Sequence, residues 1–284
     1  MDATTEPVPP ATRSTRQPRP PSRARIGAYI ASTLGLASLA GIGIAAGGDP
    51  ETNPAALLFI LSPVLMAAIL RWTGDGWADA GLRLRLRGNG TWYALALLLF
   101  PLLTAVVLGI GTLTGAVTWD TGSARDLAAA FVAGLVLRMV YAACEELGWR
   151  GYLEPRLAAL GMPAARRHLA VAVIWGAWHV PYILTFDLMT DLPLGAYLPL
   201  FLISIVPMSF IYGVMRERSG TVWTSVLMHG MANAIAFPLL TTGVVEVDHE
   251  VVFAARPEGL IMLAGLCVVA WAVWRSRRVT ARRP

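Results

Sequence analysis

The sequence predicts an all-α fold, a polytopic transmembrane bundle of about eight helices, and three observations predict it. Of its 284 residues 56% are hydrophobic and only 14% charged, where a soluble domain carries about 25% charged residues. Eight stretches approach or reach the roughly 17–25 apolar residues that cross a hydrocarbon core of about 30 Å. The basic residues, every one an arginine, gather in alternate connections, which is the positive-inside pattern of a multi-pass membrane protein.

In chain order, "MDATTEPVPPATRSTRQPRPPSRAR" (1–25) is rich in Pro, Arg, Ser and Thr and too poor in apolar residues to bury a core. It predicts a disordered cytoplasmic tail. No cleavage-site pattern follows it, so the first apolar run is expected to be a retained signal anchor. The predicted spans are 26–47, 55–71, 91–115, 127–144, 168–186, 194–214, 221–240 and 259–274. Together they make one transmembrane domain over 26–275, with a basic cytoplasmic tail at 276–284.

With the amino terminus inside, the inner connections hold Arg71, Arg83, Arg85 and Arg87, then Arg150, Arg156, Arg166 and Arg167, then Arg216 and Arg218, and the tails add the rest. Outer connections hold Arg125 and Arg256 but are mainly acidic, in "GDPETNP", "DLMTDLP" and "VVEVDHE". Both termini are therefore expected in the cytoplasm of a cell membrane. The lysine-free composition reads as codon usage in a GC-rich, bacterial genome, not as a nucleic-acid-binding surface; the partner it implies is the lipid bilayer. Cys144 and Cys267 lack the paired spacing of a disulfide framework or a thiolate metal site.

Polar residues inside apolar helices are functional candidates by default. In "CEELGWRGYL" (144–153), Glu146 and Arg150 stand four residues apart on one helical face, while Glu145 points about 100° away. An interfacial charge cluster at a helix end is the ordinary explanation of such a string. In "WGAWHVPY", His179 shares a face with Trp175 and precedes Pro181, which removes an amide and predicts a kinked, locally polar backbone. A lone membrane histidine is otherwise an interhelical hydrogen-bond partner. In "TVWTSVLMHGMAN", Thr221, Ser225, His229 and Asn233 form a stripe at four-residue steps that lipid cannot satisfy. Helix packing accounts for Thr221 and Ser225 but less well for His229 and Asn233. A rise of about 1.5 Å per residue puts His179 about 16 Å and His229 about 12 Å from their cytoplasmic entries, with Glu145 near the same end of its own helix. Arg138, about 20° off the face of Glu145, is expected to be structural.

The ordered set Glu145-Glu146-x-x-x-Arg150, Trp175-x-x-x-His179 and His229-x-x-x-Asn233 resembles the CAAX protease and bacteriocin-processing enzyme family of intramembrane proteases, over about residues 90–240. The resemblance implies a membrane peptidase in which Glu145 activates water, His179 positions or polarises it, and His229 and Asn233 donate to the oxyanion of the tetrahedral intermediate. It implies a membrane-associated protein or peptide as substrate. Trp175 stands where the family more commonly has phenylalanine, a departure expected to affect substrate shape more than chemistry. Two histidines and a glutamate can also hold zinc with an open position, although no HExxH is present, and the sequence leaves the metal question open. Alternatives are a non-enzymatic family member acting in bacteriocin immunity or as a membrane scaffold, and a proton-coupled transporter, which the lack of a paired repeat disfavours.

Overall fold

The computed structural model describes residues 20–47, 53–120, 124–186, 188 and 190–280. The expected tail over 1–25 lies outside them up to residue 19, and its last three residues already belong to a helix. The elements in order are α1 (Arg23–Ala45), α2 (Pro54–Leu70), α3 (Gly90–Thr114), β1 (Val117–Trp119), α4 (Ala124–Gly148), α5 (Glu154–Ala159), α6 (Ala164–Thr185), α7 (Leu194–Ser219), α8 (Trp223–Thr241), β2 (Val245–Val247), α9 (Glu250–Phe253) and α10 (Leu260–Thr280). The eight predicted spans correspond to α1, α2, α3, α4, α6, α7, α8 and α10. Among the described residues, six helices meet the length and apolarity needed to cross a membrane, and the protein is a multi-pass membrane bundle.

Local chemistry sets the helix ends. Asn53 caps α2 through its side-chain oxygen, which accepts from the Ala55 amide at 2.9 Å, with Pro54 in the first turn where no amide is needed. Gly220 ends α7 at φ 66° and turns the chain at once into α8. Prolines inside α2, α6 and α8 do not stop those helices. Pro181 packs instead against Gly41 of α1, where an added Cβ would come within 2.8 Å of the proline ring.

The helix that carries both glutamates is α4. It packs on α8 and α2, while α1 lies on α2 and α6, and α7 bridges α6, α8 and α10. Its last residue, Gly148, lies close against α1 and α2, since a Cβ there would meet Tyr29 Oη and Pro63 at 2.5 Å. The helical path does not end there. It continues through a π turn over Trp149–Leu153, closed by the Glu154 amide on the Trp149 carbonyl, into α5. Glu145 and Glu146 are therefore well inside a helical run rather than at its end, which corrects the expected placement; the apolar run ends at residue 144 but the hydrogen-bonded backbone does not.

Two features were not foreseen. The outer connections pair as a short antiparallel ribbon, with Val117 opposite Val247, Thr118 opposite Glu246 and Trp119 opposite Val245. At the other end, the chain after α2 makes an ionic layer beneath α4 and α5. Asp75 binds Arg25 at 2.7 Å and accepts from Tyr152 Oη at 2.7 Å, while Asp79 binds Arg71 at 2.8 Å and Arg156 at 3.2 Å. Arg216 of α7 donates to the Asp79 carbonyl at 2.8 Å. Several arginines that signalled topology in the sequence are thus also structural cross-links.

Candidate functional site

The site is built by α4, α6 and α8 around two carboxylates. Glu146 and Arg150 are fully buried and joined by a 3.0 Å ion pair one helical turn apart, as the four-residue spacing requires. Arg150 lies over the Trp175 ring at 4.7 Å and the Tyr212 ring at 5.1 Å. On its far side Glu154 lies 3.9 Å from its Nε. A guanidinium at zero exposure is thereby surrounded by two carboxylates and two π faces, the partners that offset its desolvation.

His229 of α8 reaches across to α4. Its Nδ1 is 3.0 Å from Glu146 Oε1 and its Nε2 is 3.8 Å from Glu145 Oε1. It spans both glutamates, and its closer partner is Glu146, whereas the sequence reading grouped it with Glu145. A carboxylate oxygen only accepts, so Nδ1 carries a proton. Glu145 is nearly buried, and its Oε2 accepts from the Trp175 indole Nε1 at 2.7 Å. Phenylalanine cannot make this bond. The Trp175 departure from the family pattern therefore acts on the carboxylate itself as well as on shape.

His179 lies one turn after Trp175 on α6, and its Nδ1 is 2.9 Å from the Trp175 carbonyl. A carbonyl accepts, so Nδ1 is protonated and Nε2 of the neutral ring keeps its lone pair. Trp178 and Phe201 pack on its ring edge-on at 4.7 and 5.0 Å, and it interacts electrostatically with Glu145 and His229. Asn233, half-buried, stands one turn beyond His229 on the same helical face. Thr221 and Ser225 serve packing, donating to the carbonyls of Gly81 at 3.3 Å and Tyr212 at 3.2 Å. Arg138 stacks 3.7 Å above Phe237 and joins α4 to α8.

The sequence reading missed Glu154, His168 and Tyr212. Glu154 was within reach, since Glu146, Arg150 and Glu154 continue one four-residue repeat. His168 Nδ1 lies 2.9 Å from Glu154 Oε1, and nothing in the local sequence of α6 signals that distant partner. The same region bears on metal binding. Among the described residues, the three-donor cluster within common reach of one ion is Glu154, His168 and Glu217, not Glu145, His179 and His229. Arg167 lies against both Glu154 and Glu217, so a cation there would meet a guanidinium. As placed, neither set fits a three-ligand zinc centre.

A family model described as type II CAAX prenyl endopeptidase Rce1-like matches residues 127–235. Over that segment the chain matches the CAAX protease family. The Rce1-like segment runs from α4 into α8 and contains all seven residues of the three motifs. The activity in that description, a CAAX-type endopeptidase, is the family's. No curated protein matches the chain.

Two outcomes follow from the contacts. Trp175→Phe keeps an aromatic ring but deletes the donor to Glu145, and a hydrogen bond to a charged group is worth about 1.5–3 kcal/mol. Peptide cleavage should fall about tenfold with little change in thermal unfolding; unchanged cleavage would show the bond to be idle. Glu146→Gln and Arg150→Met should each destabilise the protein by about 3 kcal/mol, as loss of one partner of a buried pair does. The double variant should lose less than the sum of the two, and additive losses in thermal unfolding would show that the pair is not coupled.

Proposed function

We propose that the protein is an intramembrane endopeptidase that hydrolyses a peptide bond in a membrane-associated protein or peptide. The observation that carries this reading is the arrangement of His229, held by Glu146 through Nδ1 while its Nε2 faces Glu145. A carboxylate-oriented imidazole beside a second carboxylate is the layout of a positioned acid–base pair.

In this reading Glu145 takes a proton from a water molecule while the water oxygen attacks the peptide carbonyl carbon. The carbonyl oxygen becomes an oxyanion. As the C–N bond breaks, Glu145 returns the proton to the leaving amine. His179 Nε2 accepts from the same water and orients it. Since Nδ1–H of His229 is committed to Glu146, its Nε2 donates to the oxyanion when the ring is an imidazolium. In that form Glu145, Glu146, Arg150 and His229 sum to zero charge. The Asn233 amide supplies the second donor, and such donors act most strongly where water is excluded. Glu146 and Arg150 position His229 without touching the reacting atoms. No step needs a metal.

Prenylated CAAX tails are not the expected substrates of a bacterial chain; the expected substrate is a secreted peptide, a signal remnant or a regulator. The arginine-rich end of the bundle is placed in the cytoplasm together with both termini. Its described members include Arg83, Arg85 and Arg87, which are exposed.

Glu145→Gln should reduce cleavage by about 10²-fold or more while thermal unfolding stays as in the parent protein. Membranes carrying Glu145→Ala should accumulate the uncut substrate, detectable by comparative proteomics. Chelator should leave cleavage unchanged; a loss restored by zinc would overturn the metal-free scheme while leaving the peptidase reading intact. For orientation, a reporter active only outside the cell and fused after Pro284 should stay silent. A bright reporter there rejects the cytoplasmic placement of the carboxy terminus.

A further inference from the structure

The connection from α2 to α3 holds the sequence "LRLRLR", residues 82–87, in which three leucines alternate with three arginines. It forms neither helix nor ladder, and all six residues are exposed. Leu84 and Leu86 are 62% and 61% exposed. This is not a frayed loop, because both ends are tied to the turn between α7 and α8. The Val222 amide donates to the Gly81 carbonyl at 3.0 Å and Trp223 Nε1 to the Leu82 carbonyl at 2.7 Å. Asn89 Nδ2 donates to the carbonyls of Arg85 at 2.9 Å and Ser219 at 3.0 Å. Between these ties the segment arches over an open groove of about 550 Å³, lined by Leu84, Arg85, Leu86, Arg87 and Arg218.

Five other arginines of this end are used by the fold. Arg25, Arg71, Arg150, Arg156 and Arg167 are each paired with carboxylates. Among the described residues no carboxylate pairs with Arg83, Arg85 or Arg87, so the arch is a concentration of uncompensated positive charge. Its leucines are equally without cover. Connectivity puts it at the bilayer surface, between two membrane-crossing helices. Trp72 and Trp77, 73% and 41% exposed on the same connection, are the residues that populate the headgroup level. Alternating apolar and cationic side chains at that level match one partner: acyl chains for the leucines and phosphate for the guanidiniums.

We propose that the arch and its groove are a binding site for anionic phospholipid. The leucines enter the acyl boundary and Arg85 and Arg87 close on the headgroup phosphate, with Arg83 adding to the field. The site is independent of the peptidase chemistry.

The test uses the full-length protein in neutral detergent, offered equimolar phosphatidylglycerol and phosphatidylcholine, with bound lipid counted by native mass spectrometry. The parent protein should retain phosphatidylglycerol about tenfold over phosphatidylcholine. The triple variant Arg83→Gln, Arg85→Gln, Arg87→Gln should lower that ratio to within about twofold, with thermal unfolding unchanged. Raising salt to half molar on the parent protein should do the same without any substitution. The variant Leu82→Ser, Leu84→Ser, Leu86→Ser should retain less of both lipids. Inorganic phosphate should not displace the lipid if the leucines contribute. A retained preference in the arginine variant, complete displacement by inorganic phosphate, or preferential binding of an acidic peptide over phosphatidylglycerol would each overturn the proposal.

Discussion

The constraint on which the bundle depends is the burial of one charge. Arg150 has no solvent exposure, and a guanidinium in that position is tolerated only if protein supplies what water would have supplied. Glu146 and Glu154 do so from the same helical run, one turn before it and one after, and the Trp175 and Tyr212 rings close on it from α6 and α7. Each partner is then an anchor for another element. His229 brings α8 onto Glu146, and His168 brings the start of α6 onto Glu154. Arg150 itself sits in the π turn at Trp149–Leu153, between the two carboxylates. Its Nη1 is 3.0 Å from Glu146 and its Nε 3.9 Å from Glu154.

What could be read from the sequence was what helical periodicity and composition encode. The apolar runs marked the spans, and four-residue steps put Glu146 beside Arg150 and His229 beside Asn233 on common faces. What could not be read was pairing across long separations. Nothing near Asp75 or Asp79 in the chain says that Arg25, Arg71 and Arg156 will close on them, and three-residue strands such as β1 and β2 carry too few alternations to announce themselves. Trp175 is a different kind of miss. Its place in the motif was evident, but an indole was weighed as volume, and the N–H that reaches Glu145 depends on the relative rotation of α4 and α6.

The arginines show why topology and structure cannot be assigned to separate residues. A positive connection on one side of the membrane is selected during insertion, yet Arg71, Arg156 and Arg216 also hold the chain after α2 under α4, α5 and α7. Only where such partners are missing, as along 82–87, does the charge remain for something outside the fold.

The two adjacent glutamates divide their work because one helix can aim consecutive side chains in two directions but cannot separate their charges by much. Glu146 is committed on the side of Arg150 and His229. Glu145 is turned toward Trp175 and the outer nitrogen of His229. His229 approaches both. A change at Glu146 therefore reaches Glu145 through this imidazole, by altering its position or its proton, and the roles of the pair are distinct without being independent. The geometry makes His229 the residue whose state links the structural carboxylate to the proposed reactive one.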